Sequence, residues 1–125
     1  MFLKSIRDFS DKLNDFLAYI ELLLHTFDME YRRFGKTNEK ISVITLGGMR
    51  FKHGWNPPRS NLPAESIKNC IDTTSQAFDI GINHIETAYG YMKSEHLYGV
   101  ALKELAIPRD QFKMMTKGAP MTGDE

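Results

Sequence analysis

Three ionisable side chains in this sequence are spaced so that a fold could gather them into a proton-transfer site. Glu86 closes a short apolar run, Ile82 to Ile85. Tyr91 follows it between Gly90 and Met92, and Lys117 closes a second strand-like run, Phe112 to Thr116. A phenol with its ordinary pKa of about 10 exchanges protons poorly near neutrality. An ammonium beside it favours the phenolate, and a carboxylate beside the ammonium keeps that charge in place. An acid at the end of a buried strand is costly unless it pairs, so Glu86 needs a cation near it in space. By local pattern alone, a surface turn accommodates Glu86 equally well.

The elements around these residues must end where the residues stand. Tyr31 to Phe34 reads as a strand that turns through Gly35 to Glu39 and returns at Ile41, a hairpin. Val43 to Leu46 is a buried apolar strand stopped by Gly47-Gly48. Paired glycines allow a backbone or ligand to approach closely, or simply make a tight turn. Phe51 to Leu62 is a polar, proline-containing loop, and its Trp55 either packs locally or overhangs a site. Pro63 suits a first helical position, and Ile67, Cys70, Ile71, Thr74 and Phe78 follow at helical spacing until Gly81. Cys70 falls on that inward stripe and reads as core, not nucleophile.

His84 to Thr87 is the next strand. A helix then starts at Ser94 as N-cap, carries Leu97, Ala101, Leu102 and Leu105, and stops before Pro108. The third strand is Phe112 to Thr116. Strand, helix, strand, helix, strand calls for an α/β fold with parallel strands and right-handed crossovers. Gly47-Gly48, Glu86 and Lys117 then all lie at carboxyl ends of successive strands.

Composition narrows the function classes. A chain of 125 residues with 42% apolar and 26% charged residues is ordinary for a soluble domain. A net charge of zero and a pI near 6.9 leave no electrostatic footprint for nucleic acid or an anionic membrane. No stretch is long and apolar enough to span a bilayer. The single Cys70 excludes an intrachain disulfide and fits a reducing, cytoplasmic setting. His25, His53, His84 and His96 show no metal-ligand spacing, so no metal is expected, and His84 reads as a strand residue facing a neighbour.

Residues 1–28 form a separate unit. Phe2, Ile6, Phe9, Leu13, Phe16, Ile20, Leu23 and Phe27 make a stripe on one face of an amphipathic helix, and interleaved acids argue against a signal peptide. Self-association or a partner chain, packing on the same domain, and translated sequence upstream of Met29 are the three readings.

Gly81-Ile-Asn-His-Ile-Glu-Thr-Ala-Tyr-Gly-Tyr-Met-Lys-Ser-Glu95 resembles the segment around the catalytic tyrosine of the aldo-keto reductases. Met29-Glu-Tyr-Arg-Arg-Phe-Gly-Lys-Thr37 is similar to that family's opening hairpin, and Thr45-Leu-Gly-Gly-Met-Arg-Phe51 to the end of its first barrel strand. Pro108-Arg-Asp with Thr116-Lys117 resembles the approach to its catalytic lysine.

The resemblance implies that residues 29–125 form the N-terminal hairpin and first three strands, with two helices, of a (β/α)8 TIM barrel. It also implies NADPH- or NADH-dependent reduction of an aldehyde or ketone, with Gly47, Gly48, Met49 and Arg50 bordering the cofactor. Tyr91 would be the general acid, Lys117 its activator and Glu86 the carboxylate partner. Glu86 stands where most members carry aspartate. The family's catalytic histidine and most dinucleotide contacts would lie beyond Glu125, so such a front segment is expected to be inactive alone. A non-catalytic remnant or interaction module using the helix or the sheet edge is the alternative.

Overall fold

Within His84-Ile85-Glu86 the side chains must alternate between the two faces of a strand. Ile85 is fully buried in a core with Cys70, Leu97, Tyr98, Ala101 and Phe112, so His84 and Glu86 face the opposite side. The computed structural model describes residues 12–20 and 28–118. Residues 12–20 are helical (α1), with Leu13, Phe16 and Leu17 exposed; Phe2, Ile6, Phe9, Leu23 and Phe27 of the expected stripe lie outside the described residues.

The fold is α/β with two small sheets, and the described residues form no closed barrel. Strands β1 (Tyr31–Arg33) and β2 (Lys40–Ser42) pair antiparallel as the expected hairpin. Strands β3 (Leu46–Gly47), β4 (His84–Glu86) and β5 (Lys113–Met115) form a parallel sheet in that order. Helix α2 (Ala64–Asp79) joins β3 to β4, and α3 (Ser94–Glu104) joins β4 to β5. Both helices cover the Ile85 face, because Cys70 of α2 and Leu97, Tyr98 and Ala101 of α3 share one apolar cluster with it.

Helix α2 forms because Ser66, Cys70, Thr74 and Ala77 recur about one turn apart and are all buried. Burial pushes the Cys70 thiol up to about 11, as expected of an inert core cysteine. The helix stops where Gly81 takes φ +86°, a left-handed conformation that costs glycine nothing. A side chain there would also strike Met29 and Tyr31, whose hydroxyl donates to the Gly81 carbonyl at 2.7 Å. The hairpin is thereby fastened to the amino-terminal end of β4.

Three local expectations need correction. Val43 and Ile44 are 50% and 55% exposed instead of buried in a strand. The Val43 N–H donates back to the Glu30 carbonyl at 2.8 Å, prolonging the hairpin, so the chain enters the sheet only at Leu46 and Gly47 lies inside the strand. Pro63 is the N-cap of α2, not its first residue. Ser94 is the first helical residue of α3, with Lys93 at the N-cap, because its hydroxyl is held by Thr87.

His84 packs beneath the sheet as a strand residue facing neighbours. Its Nδ1 lies 2.8 Å from the Thr45 hydroxyl, and the Phe34 ring sits 5.8 Å away, centre to centre. Burial lowers its pKa from the ordinary 6.5. In the window below 6.5 the unfolded chain therefore binds a proton that the folded chain refuses. The His84 contribution is complete above about pH 6.5 and declines as pH falls through that window. Urea denaturation at pH 7.5 and 5.5 should show lower stability at the acid end, and His84→Gln should reduce the difference.

Candidate functional site

Parallel register builds the site. Gly47 lies opposite Glu86, and Glu86 opposite Met115, so these three share one level at the carboxyl ends of their strands. Two residues past Met115, Lys117 returns to the face that carries Glu86. Backbone bonds hold it there: the Thr87 N–H donates to the Met115 carbonyl at 2.8 Å, and the Tyr89 N–H to the Lys117 carbonyl at 2.9 Å.

The expected trio meets. Lys117 Nζ pairs with Glu86 Oε1, and the Tyr91 hydroxyl reaches the same oxygen at 3.4 Å. Lys117 Nζ also lies 4.6 Å from the centre of the Tyr91 ring, within cation–π range. Glu86 is largely buried, with a side-chain exposure of 18%, whereas Lys117 is 44% exposed. A largely buried carboxylate with a cation and a phenol on one oxygen resolves the surface-turn alternative: Glu86 pairs. Chemically, the arrangement sets a phenol hydroxyl, a carboxylate and an ammonium within reach of one another.

Tyr91 is aimed by a one-turn 3-10 helix, Tyr89–Tyr91, closed by a Tyr91 N–H bond to the Ala88 carbonyl at 3.0 Å. Met92 then takes φ +50°, a left-handed conformation uncommon for a residue with a side chain, and turns the chain into α3.

The four residues expected beside a cofactor occupy different environments. Gly47 is exposed, and a Cβ there would come within 3.7 Å of Glu86 Oε2, so the bare backbone leaves room above the carboxylate. Met49 and Arg50 are exposed on the same rim. Gly48 is buried, and its N–H donates to the Glu86 carbonyl at 2.8 Å. A Cβ there would collide with Ser94 Oγ and come within 2.6 Å of the Tyr98 ring. Packing alone therefore requires glycine at 48. Among the described residues no group of histidines, cysteines and acids could hold a metal ion.

Several residues that build the site carried no sequence signal of their own. The loop after β3 is clasped to the tyrosine turn by Arg59, which stacks 3.6 Å over the Tyr89 ring and donates to the Tyr89 carbonyl. Lys93, only 4% exposed, donates to the Asn56 carbonyl in the same loop. Trp55, beside Asn56, is 46% exposed and tilted against His53, which is local packing with one face open. Thr87 and Ser94 form a fully buried hydroxyl pair at 2.8 Å. Only their seven-residue separation across a turn could have hinted at this contact.

The sequence profile of the Aldo/keto reductase family matches residues 43–125. The chain belongs to that family. It is 33% identical over 91 residues to versiconal hemiacetal acetate reductase of Aspergillus parasiticus, covering 71% of this chain and 25% of that protein. It is 30% identical over 91 residues to L-galactose dehydrogenase of Arabidopsis thaliana, covering 71% and 26%. The crystal structure of a thermostable aldo-keto reductase in complex with the inhibitor epalrestat superposes with a TM-score of 0.57 at 26% identity, over 72% of this chain and 31% of that one. The chain thus spans about a quarter of the length of the curated relatives it matches.

Replacing Gly48 by alanine forces a methyl group into Ser94 and Tyr98. Overpacking of this kind typically costs roughly 1–3 kcal/mol. Gly48→Ala should lower the urea midpoint by a corresponding amount, whereas Gly47→Ala, whose Cβ meets only ordinary contact, should shift it little.

Proposed function

We propose that residues 29–125 are the opening portion of a (β/α)8 barrel that reduces an aldehyde or ketone with NADPH or NADH. The observation that carries this reading is the single carboxylate oxygen, Glu86 Oε1, that touches both Lys117 and Tyr91. The relatives' names, a reductase and a dehydrogenase, support the same reaction class. In parallel α/β barrels the carboxyl ends of the strands form the active-site rim, which is where these groups stand.

Adding hydride to a carbonyl carbon leaves negative charge on its oxygen, and a proton must reach that oxygen. Tyr91 donates it from its hydroxyl. The Lys117 ammonium beside the ring stabilises the phenolate left behind, and Glu86 holds Lys117 by charge and hydrogen bond. Gly47, with no side chain above Glu86, and the exposed Met49 and Arg50 suit the edge of a nicotinamide, and Gly48 keeps the backbone beneath them fixed. When bound, the nicotinamide supplies the hydride. The chain's own contribution is the proton and the charge that stabilises its departure.

In a completed barrel, Tyr91→Phe should lower carbonyl reduction by about the 10²–10⁴-fold typical of a general acid. Nicotinamide binding, followed by fluorescence quenching, should persist. Retained turnover would assign the proton to another group.

A second reading concerns α1. Leu13, Phe16 and Leu17 are 46%, 59% and 50% exposed and, with Ile20, recur at i, i+3, i+4 and i+7 on one helical face. We propose that this stripe mediates self-association of the chain. Analytical ultracentrifugation should show a concentration-dependent mass for the wild type and a monomer for Leu13→Asp/Ile20→Asp; unchanged association in the double variant refutes the idea.

A further inference from the structure

Lys117 lies beyond the last residue of β5, with exposed residues on either side. A lysine side chain with many rotamers needs restraint to keep its charge over one ring. Its main chain has one tie to the tyrosine turn, the Tyr89 N–H bond to the Lys117 carbonyl. A second tie comes from the neighbouring residue. Strand alternation sends Thr116 to the face opposite Lys117, the face covered by α3. There the Thr116 hydroxyl donates to Glu95 Oε1 at 2.6 Å.

Glu95 is itself well anchored. It is the second residue of α3, in the first turn, where a carboxylate is favoured by the helix dipole. The preceding residue, Ser94, is fixed by its buried bond to Thr87 beneath Gly48. A chain of contacts therefore runs from the centre of the sheet through Thr87, Ser94 and Glu95 to Thr116, adjacent to Lys117. The contact is charge-assisted and short, the stronger kind of hydrogen bond.

We propose that Glu95 is a positioning residue for Lys117, acting through the Thr116 hydroxyl. The inference rests on the Tyr91–Lys117–Glu86 reading of the site and deepens it. Glu95 and Thr116 do not meet substrate; they hold the strand end so that the ammonium stays over the Tyr91 ring and against Glu86.

The test uses the whole 125-residue chain with 15N,13C-labelled lysine, following the nuclear Overhauser contact between the Lys117 side chain and the Tyr91 ring. Lys117→Met assigns the signal. The contact should be present in the wild type and fall to less than half in Glu95→Ala and in Thr116→Val. It should be retained in Glu95→Gln and Thr116→Ser, each of which keeps the hydrogen-bonding atom. The double variant Glu95→Ala/Thr116→Val should lose no more than either single one, since both remove the same bond. A purely structural role would lower the thermal midpoint without dispersing the Lys117–Tyr91 contact. Undiminished contact in Glu95→Ala and Thr116→Val overturns the proposal while leaving the site intact. Absence of the contact in the wild type overturns the site reading and the proposal together. If Glu95→Ala fails to fold, Thr116→Val against Thr116→Ser decides the matter.

Discussion

A carboxylate placed at the end of the central strand must find a cation or lose its charge, and that constraint shapes this end of the molecule. Glu86 cannot turn to water, because strand alternation is already committed: Ile85 must face the helices, so Glu86 faces the side shared with Gly47 and Met115. Burying it without a partner would cost several kcal/mol. Lys117, brought up two residues past Met115 on the same face, supplies the charge. Tyr91 completes the set by sharing Oε1. The group that satisfies Glu86 also places a positive charge beside a phenol.

The sheet achieves this closeness by using small residues beneath the rim. Gly48 lies against Ser94 and Ser94 against Thr87, all buried, and Tyr98 fills the remaining space while its hydroxyl donates to the Leu46 carbonyl at 2.9 Å. Burial holds the Tyr98 phenol protonated far above its ordinary range, so its hydroxyl is a permanent donor to the first strand of the sheet. Two tyrosines on neighbouring elements thus serve opposite ends: Tyr98 locks the scaffold, and Tyr91 stands half-exposed beside Glu86 and Lys117. Phe51 packs edge-on against Tyr98 at 4.9 Å, which ties the start of the following loop to the same core.

Above the rim the loop is held by cations. Arg59 on Tyr89 and Lys93 on Asn56 join the segment after β3 to the segment after β4. Contacts to backbone carbonyls restrain the loop's path without consuming its side chains. Trp55 keeps an exposed face while tilted against His53.

The sequence alone determined the order and parallel sense of the elements, because apolar runs, helical periodicity and the stop at Gly81 are local features. It also singled out Glu86, Tyr91 and Lys117, since each closes or follows a strand-like run and the surrounding motif resembles the aldo-keto reductases, and the fold brings these three side chains together. It misjudged Val43 and Ile44, whose apolar character suggested a strand, because the competing bond from Val43 to Glu30 spans the hairpin and has no local signature. It read Ser94 as a cap, whereas the hydroxyl is claimed by Thr87 across the turn. The glycine pair could be read as ligand space throughout, and only packing separated Gly47, which is open, from Gly48, which is filled by Ser94 and Tyr98. The sharing of Oε1, the Glu95–Thr116 bond and the Arg59 clasp were likewise decided by tertiary structure. Local pattern dictates which residues form an element and which end it occupies; distances between side chains on different elements depend on register and crossover, which exist only once the sheet is assembled.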